Sequence, residues 1–289
     1  MTSQVKTLVK MISCLPAGPF ALKFGEMRKV LSAFAATILL LSCVVRSSAA
    51  EPRELTILSY NIHHGEGLDG KIDLERIAKI ISNNKADLVA LQEVDRNTKR
   101  SGGVDQAKEL ARLTSMHHVF GRAINYEGGE YGQAILSRWP ISLPIVHALP
   151  QKAGREQRIA LFAVIDGVRG LTFTTTHLDH QIETIRVDQA RALNEFFEKK
   201  QSSVSILAGD FNAAPQTEPM QILLKEWEDS ASENAAPTIP AEKPTKRIDY
   251  ILFRQPKAAW RVVRSEVLDE PVASDHRPVL SRLQVSNRE

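Results

Sequence analysis

The chain has 289 residues, with 37 Lys and Arg against 34 Asp and Glu, and therefore a formal net charge of +3 at neutral pH. Hydrophobic residues make up 43% and charged residues 25%, which is typical of packed globular proteins and excludes collagen-like, largely disordered and multi-span membrane chains. A positive balance indicates an anionic partner only if the excess charge lies on the folded part.

The first 50 residues predict an export signal. The uncharged apolar run 30–45 follows Met-Arg-Lys at 27–29 and precedes small residues ending at Ala50, which is the pattern of a cleavable signal peptide. Cleavage after Ala50 predicts a periplasmic or secreted protein. Cys43, in Leu-Leu-Ser-Cys, resembles a bacterial lipoprotein box, so membrane contact is expected only through a lipidated Cys43 or an uncleaved signal. Met27 is an alternative start of the chain.

Removal of this segment reverses the sign of the charge. Residues 1–50 hold six bases and one acid, so the 239 residues that follow carry 31 bases, 33 acids and a net charge of −2. Cys14 and Cys43 are the two cysteines of the chain, so the region 51–289 has no thiol for a disulfide, a thiolate zinc site or a nucleophile. We expect 51–289 to form one domain that acts as a monomer.

Strand and helix patterns alternate through this domain. The first strand covers 55–60, and Asp73 caps a helix with apolar residues at i, i+3, i+4 and i+7. Further helices are predicted over 105–115, 181–199 and 219–227, strands over 87–91, 118–121, 133–137, 158–165, 171–176, 204–207, 248–253, 260–267 and 279–283, and a proline-containing loop over 235–246. Because many strands in the second half are joined without helices, a sandwich of sheets flanked by helices fits better than a parallel sheet.

Polar side chains follow one apolar strand after another. Strand ends deliver such groups to a common rim, where catalytic residues concentrate. The groups in chain order are Asn61, Gln92-Glu93, His177-Leu178-Asp179, Asp210-Phe211-Asn212, Asp249 and Asp275-His276. Any one of them is compatible with a turn or a polar loop, but six in a row predict a catalytic assembly.

The motifs resemble those of the endonuclease/exonuclease/phosphatase superfamily, which includes DNase I-like nucleases, neutral sphingomyelinases and inositol-polyphosphate 5-phosphatases. The resemblance implies an α/β fold, a four-layer sandwich of two mainly antiparallel sheets flanked by helices, and metal-dependent hydrolysis of phosphoesters. The matching segments, in order, are SYNIHHG (59–65), LVALQEVD (88–95), YGQAILSRWP (131–140), TTHLDH (175–180), ILAGDFNA (206–213), RIDYIL (247–252) and SDHRPV (274–279).

The resemblance implies Mg²⁺ as cofactor, with Mn²⁺ as a substitute. Magnesium prefers oxygen ligands and is commonly held by only one or two carboxylates. Glu93 is the principal metal ligand that we predict, and Asn61 and Asp275 are predicted to complete or support the metal site.

Five residues are the catalytic candidates. Asp210 is predicted to orient or deprotonate the attacking water, and Asn212 to hold that water or a phosphate oxygen. His276 is predicted to donate to a phosphoryl oxygen, with Asp249 orienting its ring and favouring its charged form. His177 is either a second phosphate donor or a general acid.

Two further residues are predicted to bind substrate. Arg158 is predicted to bind the phosphate group of the substrate, and Tyr131 is the second predicted substrate-binding residue. The chain departs from the superfamily pattern at Gln133, where many relatives have Asn, so a contact made by that Asn is not expected here. The neighbouring histidines His63 and His64 lie beside Asn61 in sequence, but paired histidines alone do not establish a zinc site.

These observations predict an exported, Mg²⁺-dependent phosphodiesterase acting on nucleic acid, phospholipid or a small diester. The acidic domain does not favour nucleic acid, because nucleases usually carry clusters of Lys and Arg along the phosphate backbone. Two alternatives stay open: a phosphomonoesterase of the phosphoinositide-phosphatase type, and a non-catalytic exported protein that binds a phosphate ligand.

Overall fold

The computed structural model describes residues 54–168, 170–200, 204–231, 235–254 and 260–285. The predictions for the signal, for cleavage at Ala50 and for lipidation at Cys43 lie outside these residues. Within them, no helix is both long enough and apolar enough to span a membrane.

The described part of the chain contains two six-stranded sheets and four α-helices. The helices are α1 (Leu74–Asn83), α2 (Gln106–Thr114), α3 (Glu183–Lys200) and α4 (Glu218–Leu223), and a 3-10 turn covers His63–Gly65. The strands are β1 (Glu54–Asn61), β2 (Leu88–Arg96), β3 (His117–Tyr126), β4 (Gly129–Ser137), β5 (Ile141–Ala148), β6 (Ile159–Ile165), β7 (Leu171–His177), β8 (Val204–Asp210), β9 (Glu228–Asp229), β10 (Asp249–Arg254), β11 (Trp260–Val267) and β12 (Val279–Val285).

Each sheet is mixed, with one parallel pair at its centre. The first sheet has the strand order β11-β12-β1-β2-β4-β3, and the second has the order β5-β6-β7-β8-β10-β9. The pairs β1–β2 and β7–β8 are parallel, and the other neighbours are antiparallel. Of the predicted site residues, Asn61, His177 and Asp210 lie at the carboxyl ends of the strands in these two parallel pairs.

Among the described residues, three apolar cores hold the layers together. One core lies between the sheets and includes Ile57 and Leu88 from the first sheet and Phe173 and Ile206 from the second. A second core joins the outer face of the first sheet to α1 and α2, and a third joins the second sheet to α3 and α4. This arrangement confirms the predicted four-layer α/β sandwich, in which burial of apolar surface at three interfaces is the main stabilising contribution.

Local signals placed most helices and strands correctly. Asp73 caps α1 by accepting a hydrogen bond from the backbone N–H of Arg76 at 2.8 Å. The sequence patterns do not predict the edge strand β5, because it contains Pro144 and none of its residues is fully buried. Proline is tolerated there because an edge strand leaves one row of backbone N–H groups without a ladder partner.

Candidate active site

Three neighbouring strands of the second sheet bring polar residues into one row. In the strand register, His177 at the end of β7 is paired with Asp210 at the end of β8, and Asp210 is paired with Asp249 at the start of β10. Gly209 allows β7 and β8 to approach, because a Cβ at this position would overlap the carbonyl of Thr176. The register therefore places a histidine and two carboxylates side by side.

Asp210 lies at the centre of this row and is buried. Its Oδ2 accepts a hydrogen bond from the amide Nδ2 of Asn61 at 3.1 Å and lies 3.4 Å from Nε2 of His177 and 3.7 Å from Nε2 of His276. Its Oδ1 accepts from the backbone N–H of Asn212 at 2.9 Å. Burial, with repulsion from Asp249, raises the pKa of Asp210 to about 7.

His276 is held in its charged form by carboxylates. Its Nδ1–H donates to Oδ2 of Asp249 at 2.9 Å, the contact that the motifs implied. Burial alone would lower the pKa of His276, but attraction to Asp249 and Asp210 outweighs it and raises the pKa to about 10. The imidazolium therefore presents Nε2–H to Asp210 and to the cleft at neutral pH.

His177 is neutral, and its tautomer follows from its partners. Nη1 of the buried Arg158 lies 3.0 Å from Nδ1 of His177, and a guanidinium can only donate. Nδ1 therefore accepts, and the ring proton is on Nε2, which faces Asp210. Burial, together with the charges of Arg158 and His276, lowers the pKa of His177 well below its usual range. Of its two predicted roles, this state suits a hydrogen-bond donor.

Glu93 enters the cleft from the first sheet at a β-bulge. The register of β2 against β4 shifts between Gln92 and Val94, and Glu93 has a left-handed backbone with φ of 58°. Its Oε1 accepts a hydrogen bond from Nδ2 of Asn61 at 3.1 Å. The bulge thus turns a residue of a buried strand towards the cleft.

The two other predicted metal ligands have different surroundings. Oδ1 of Asn61 accepts from the backbone N–H of His63 at 3.1 Å, so the amide nitrogen, which cannot bind a cation, faces Glu93 and Asp210. In this orientation Asn61 joins the two carboxylates through its amide nitrogen. Asp275 is half-buried, accepts from the hydroxyl of Ser274 at 3.3 Å, and belongs to neither cluster of converging ligand atoms in the described chain.

The donor set nevertheless fits a divalent cation. Oε1 of Glu93 and Oδ2 of Asp210 converge on the single amide nitrogen of Asn61. Two negatively charged carboxylates close to one neutral amide attract a positive ion. Carboxylate oxygens are also the ligands that hard cations prefer.

Glu93, His177, Asp210 and His276 line a cleft with a volume of about 250 Å³. The predicted substrate-binding residues Arg158 and Tyr131 both lie on its wall, and burial raises the pKa of Tyr131, so its phenol remains protonated. The cleft is lined by Glu93, Tyr131, Glu156, Arg158, His177, His180, Asp210, Asn212 and His276.

Two of the lining residues were not among the predicted site residues. Glu156 lies 3.0 Å from Nη1 of Arg158, and Nδ1 of His180 lies 3.0 Å from Nη2 of the same guanidinium. Glu156 precedes β6 instead of following a strand, so the strand-end pattern did not select it. His180 ends the TTHLDH segment (175–180), three residues after His177, but it was not assigned a role.

Gln133, the departure from the superfamily pattern, is not one of the residues that line the cleft. It is buried, and its Nε2 donates to the carbonyl of Ile159 at 3.1 Å, which joins β4 of one sheet to β6 of the other. In this chain the position therefore bridges the two sheets.

Known proteins share this architecture. An endonuclease/exonuclease/phosphatase from Beutenbergia cavernae DSM 12333 is 25% identical with a TM-score of 0.68, covering 82% of this chain and 72% of that one. A mannosyl-6-phosphatase from Bacteroides thetaiotaomicron VPI-5482 is 20% identical with a TM-score of 0.65, covering 81% and 100%. The human Nocturnin catalytic domain is 19% identical with a TM-score of 0.62, covering 81% and 95%.

The model of the Endonuclease/Exonuclease/phosphatase family matches residues 58–276, from the end of β1 to His276. The matched region includes every residue that lines the cleft. The protein therefore belongs to the Endonuclease/Exonuclease/phosphatase family, whose members are hydrolases acting on phosphoester bonds.

Proposed function

We propose that the protein is an exported, Mg²⁺-dependent phosphodiesterase in which Asp210 activates water for attack on phosphorus. The observation that carries this proposal is the position of Asp210, buried among Asn61, His177 and His276 with its pKa raised to about 7. A carboxylate with a pKa near the working pH is an effective general base, because it is both available and basic enough to accept the proton of water.

The surrounding residues divide the remaining tasks. The imidazolium of His276 donates Nε2–H to a phosphoryl oxygen, and Asp249 holds its ring. His177 donates through Nε2–H, and Arg158 supports this tautomer while its positive charge attracts the phosphate. Asn212, whose side-chain Nδ2 donates to the carbonyl of Leu178 at 3.1 Å, keeps its oxygen for the attacking water.

Glu93 would hold the cation, oriented by Asn61. Bound there, Mg²⁺ would neutralise charge that grows on the phosphoryl and leaving oxygens. In the reaction the oxygen of water bonds to phosphorus and Asp210 takes one proton of that water. The bond from phosphorus to the leaving oxygen breaks, and the leaving group departs as an alkoxide that takes a proton from solvent.

The test is hydrolysis by the purified protein with Mg²⁺ and with EDTA. Substrates are DNA, RNA, sphingomyelin, phosphoinositides and bis-p-nitrophenyl phosphate. We expect turnover of a diester with Mg²⁺, its loss in EDTA, and its loss in Asp210→Ala and His276→Ala. Turnover that persists in these variants would contradict the mechanism, and binding of substrate without turnover by the wild type would support the non-catalytic alternative.

A phosphomonoesterase is the second candidate. The cleft is small, and Arg158, His177 and His276 supply three N–H donors of the kind that a terminal phosphate requires. The structural relative named as a mannosyl-6-phosphatase shares this fold. Comparing kcat/KM for p-nitrophenyl phosphate and bis-p-nitrophenyl phosphate on the same preparation separates the two candidates.

Export is a separate part of the proposal and rests on the signal pattern in residues 1–50. Mass spectrometry of the protein from cell fractions tests it. A mature chain beginning at Glu51 supports cleavage, whereas a diacylglyceryl group on Cys43 supports lipid anchoring. Full-length protein confined to the cytoplasm would contradict both.

A further inference from the structure

Three residues with strained backbone meet beside the cleft. His63, His64 and Glu93 have φ of 46°, 45° and 58°. One ring nitrogen of each histidine and one carboxylate oxygen of Glu93 lie within 4.8 Å of one another. Positive φ is uncommon in residues other than glycine, and such strain concentrates at functional sites. The fold therefore maintains three unfavourable conformations that bring potential metal ligands together.

Contacts with Glu66 indicate the tautomers of both neutral imidazole rings. Its Oε2 lies 2.9 Å from Nε2 of His64, and its backbone carbonyl lies 3.3 Å from Nδ1 of His63. Because both partners are oxygen acceptors, these two nitrogens carry the ring protons in the neutral imidazoles. The lone pairs are then on Nδ1 of His64 and Nε2 of His63. Metal-binding histidines commonly donate their other N–H to a carboxylate or a backbone carbonyl in this way.

One ring nitrogen of His64 has no hydrogen-bond partner in the described part of the protein. The side chain is only 7% exposed, and its Nδ1 is buried without a hydrogen-bond partner in the described structure. A buried polar atom without a partner is unfavourable. His63 and Glu93 are half-buried, so an ion can reach the three residues from solvent.

We propose that His63, His64 and Glu93 form a binding site for a transition-metal ion such as Zn²⁺. Two imidazole nitrogens and one carboxylate are a donor set that suits zinc and leaves a coordination position open, whereas Mg²⁺ prefers oxygen ligands. The site shares Glu93 with the Mg²⁺ position of the proposed function, so the transition metal competes with Mg²⁺ for that carboxylate. Only the competition for Glu93 rests on the proposed function. Binding of the transition metal does not depend on it, because binding is measured without substrate.

The experiment measures metal binding by the full chain after removal of ions with EDTA. The protein is titrated with Zn²⁺ by equilibrium dialysis and with Co²⁺ by visible absorption, each in an excess of Mg²⁺. We expect one ion per chain at this site and a Co²⁺ spectrum that indicates nitrogen ligation. His63→Asn keeps a residue that tolerates positive φ but removes the imidazole, and it should weaken Zn²⁺ binding more than tenfold.

Two further variants separate coordination from folding. His118→Ala changes an exposed histidine on β3 and should bind Zn²⁺ like the wild type. Glu66→Gln keeps the size of the orienting residue and should weaken binding by about 10- to 100-fold. Thermal unfolding of each metal-free variant verifies the fold.

The inference is overturned if the wild type binds no Zn²⁺ in excess Mg²⁺, or if His63→Asn and His118→Ala bind Zn²⁺ equally well. Zn²⁺ held instead by Asp210, Asp249 and His276 would give the second result. Phosphoester hydrolysis with Mg²⁺ alone would still support the proposed function in either case. Conversely, Zn²⁺ binding without any hydrolysis would leave the metal site standing and contradict the proposed function.

Discussion

Asp210 and Asp249 are directly paired across the antiparallel strands β8 and β10, so two buried carboxylates lie side by side where β8 ends and β10 begins. Each has a different partner set: Asn61 and two histidines surround Asp210, whereas Asp249 accepts from Nδ1 of His276. Burial and mutual repulsion make the proton of Asp210 hard to lose, while His276 becomes hard to deprotonate. Because the two pKa values differ, Asp210 is the base and His276 is the hydrogen-bond donor in the proposed reaction.

Asp210→Asn should remove activity without removing stability. We expect kcat to fall by about 10²- to 10⁴-fold, because the variant cannot accept the proton of water. The free energy of unfolding in urea with EDTA should be equal to or higher than that of the wild type, since the substitution removes a buried like-charge pair. A variant that loses activity because it unfolds would contradict this prediction.

The same variant tests the pH dependence of stability. Because the pKa of Asp210 is raised in the folded state, its contribution to stability is present below the ordinary value of 3.8 and is lost as pH rises through about 7. In metal-free protein, Asp210→Asn should therefore gain stability relative to the wild type across this pH interval. A difference that is constant with pH would contradict the raised pKa.

Asp249→Asn should lower the upper pH limit of activity. His276 is charged up to about pH 10 in the wild type mainly because carboxylates oppose the effect of its burial, and the neutral amide removes one of them. We expect the alkaline decline of kcat to move to lower pH. Asp229→Asn is the control, because Asp229 lies on β9 and pairs with Arg247 at 2.7 Å outside the cleft. Identical profiles for the two variants would contradict the assignment.

Two adjacent threonines of β7 give a matched test of buried hydrogen bonding. Oγ1 of Thr175 accepts from Nε2 of Gln92 at 2.8 Å and joins the two sheets, whereas Oγ1 of Thr174 is buried without a partner in the described structure. Thr175→Val should lower the free energy of unfolding by about 1–3 kcal/mol, because it leaves the Gln92 amide unsatisfied. Thr174→Val should be neutral or stabilising. Urea denaturation measures both, and equal losses would contradict the role of the bridge.

Arg158→Lys should impair catalysis although the positive charge is kept. The guanidinium reaches His177 and His180 together through its two terminal nitrogens, and an ammonium group cannot reproduce this fork. Loss of one charge-assisted hydrogen bond, worth about 1.5 kcal/mol, corresponds to roughly a tenfold lower kcat/KM. Arg155→Lys is the control, because Arg155 pairs with Asp179 and does not line the cleft. Steady-state kinetics should give the same kcat/KM for Arg155→Lys as for the wild type.

Local sequence patterns predicted most of the sheets and helices because their causes are local. Asp73 signals the start of α1 through a side-chain cap, and the apolar runs of β1 and β7 signal buried strands. β5 has no such pattern, because an edge strand with a proline and exposed side chains is stabilised by its pairing with β6. That pairing depends on residues distant in sequence, so no local pattern reveals it.

The sequence by itself determined the family motifs, the strand ends that carry polar groups and the acidic charge of the domain, since these depend only on residue type and spacing. Tertiary structure decided the register that places His177, Asp210 and Asp249 in one row, and the contact with Arg158 that sets the His177 tautomer. It also decided the pKa values of Asp210 and His276, because burial and charge pairing arise only when strands far apart in the chain come together.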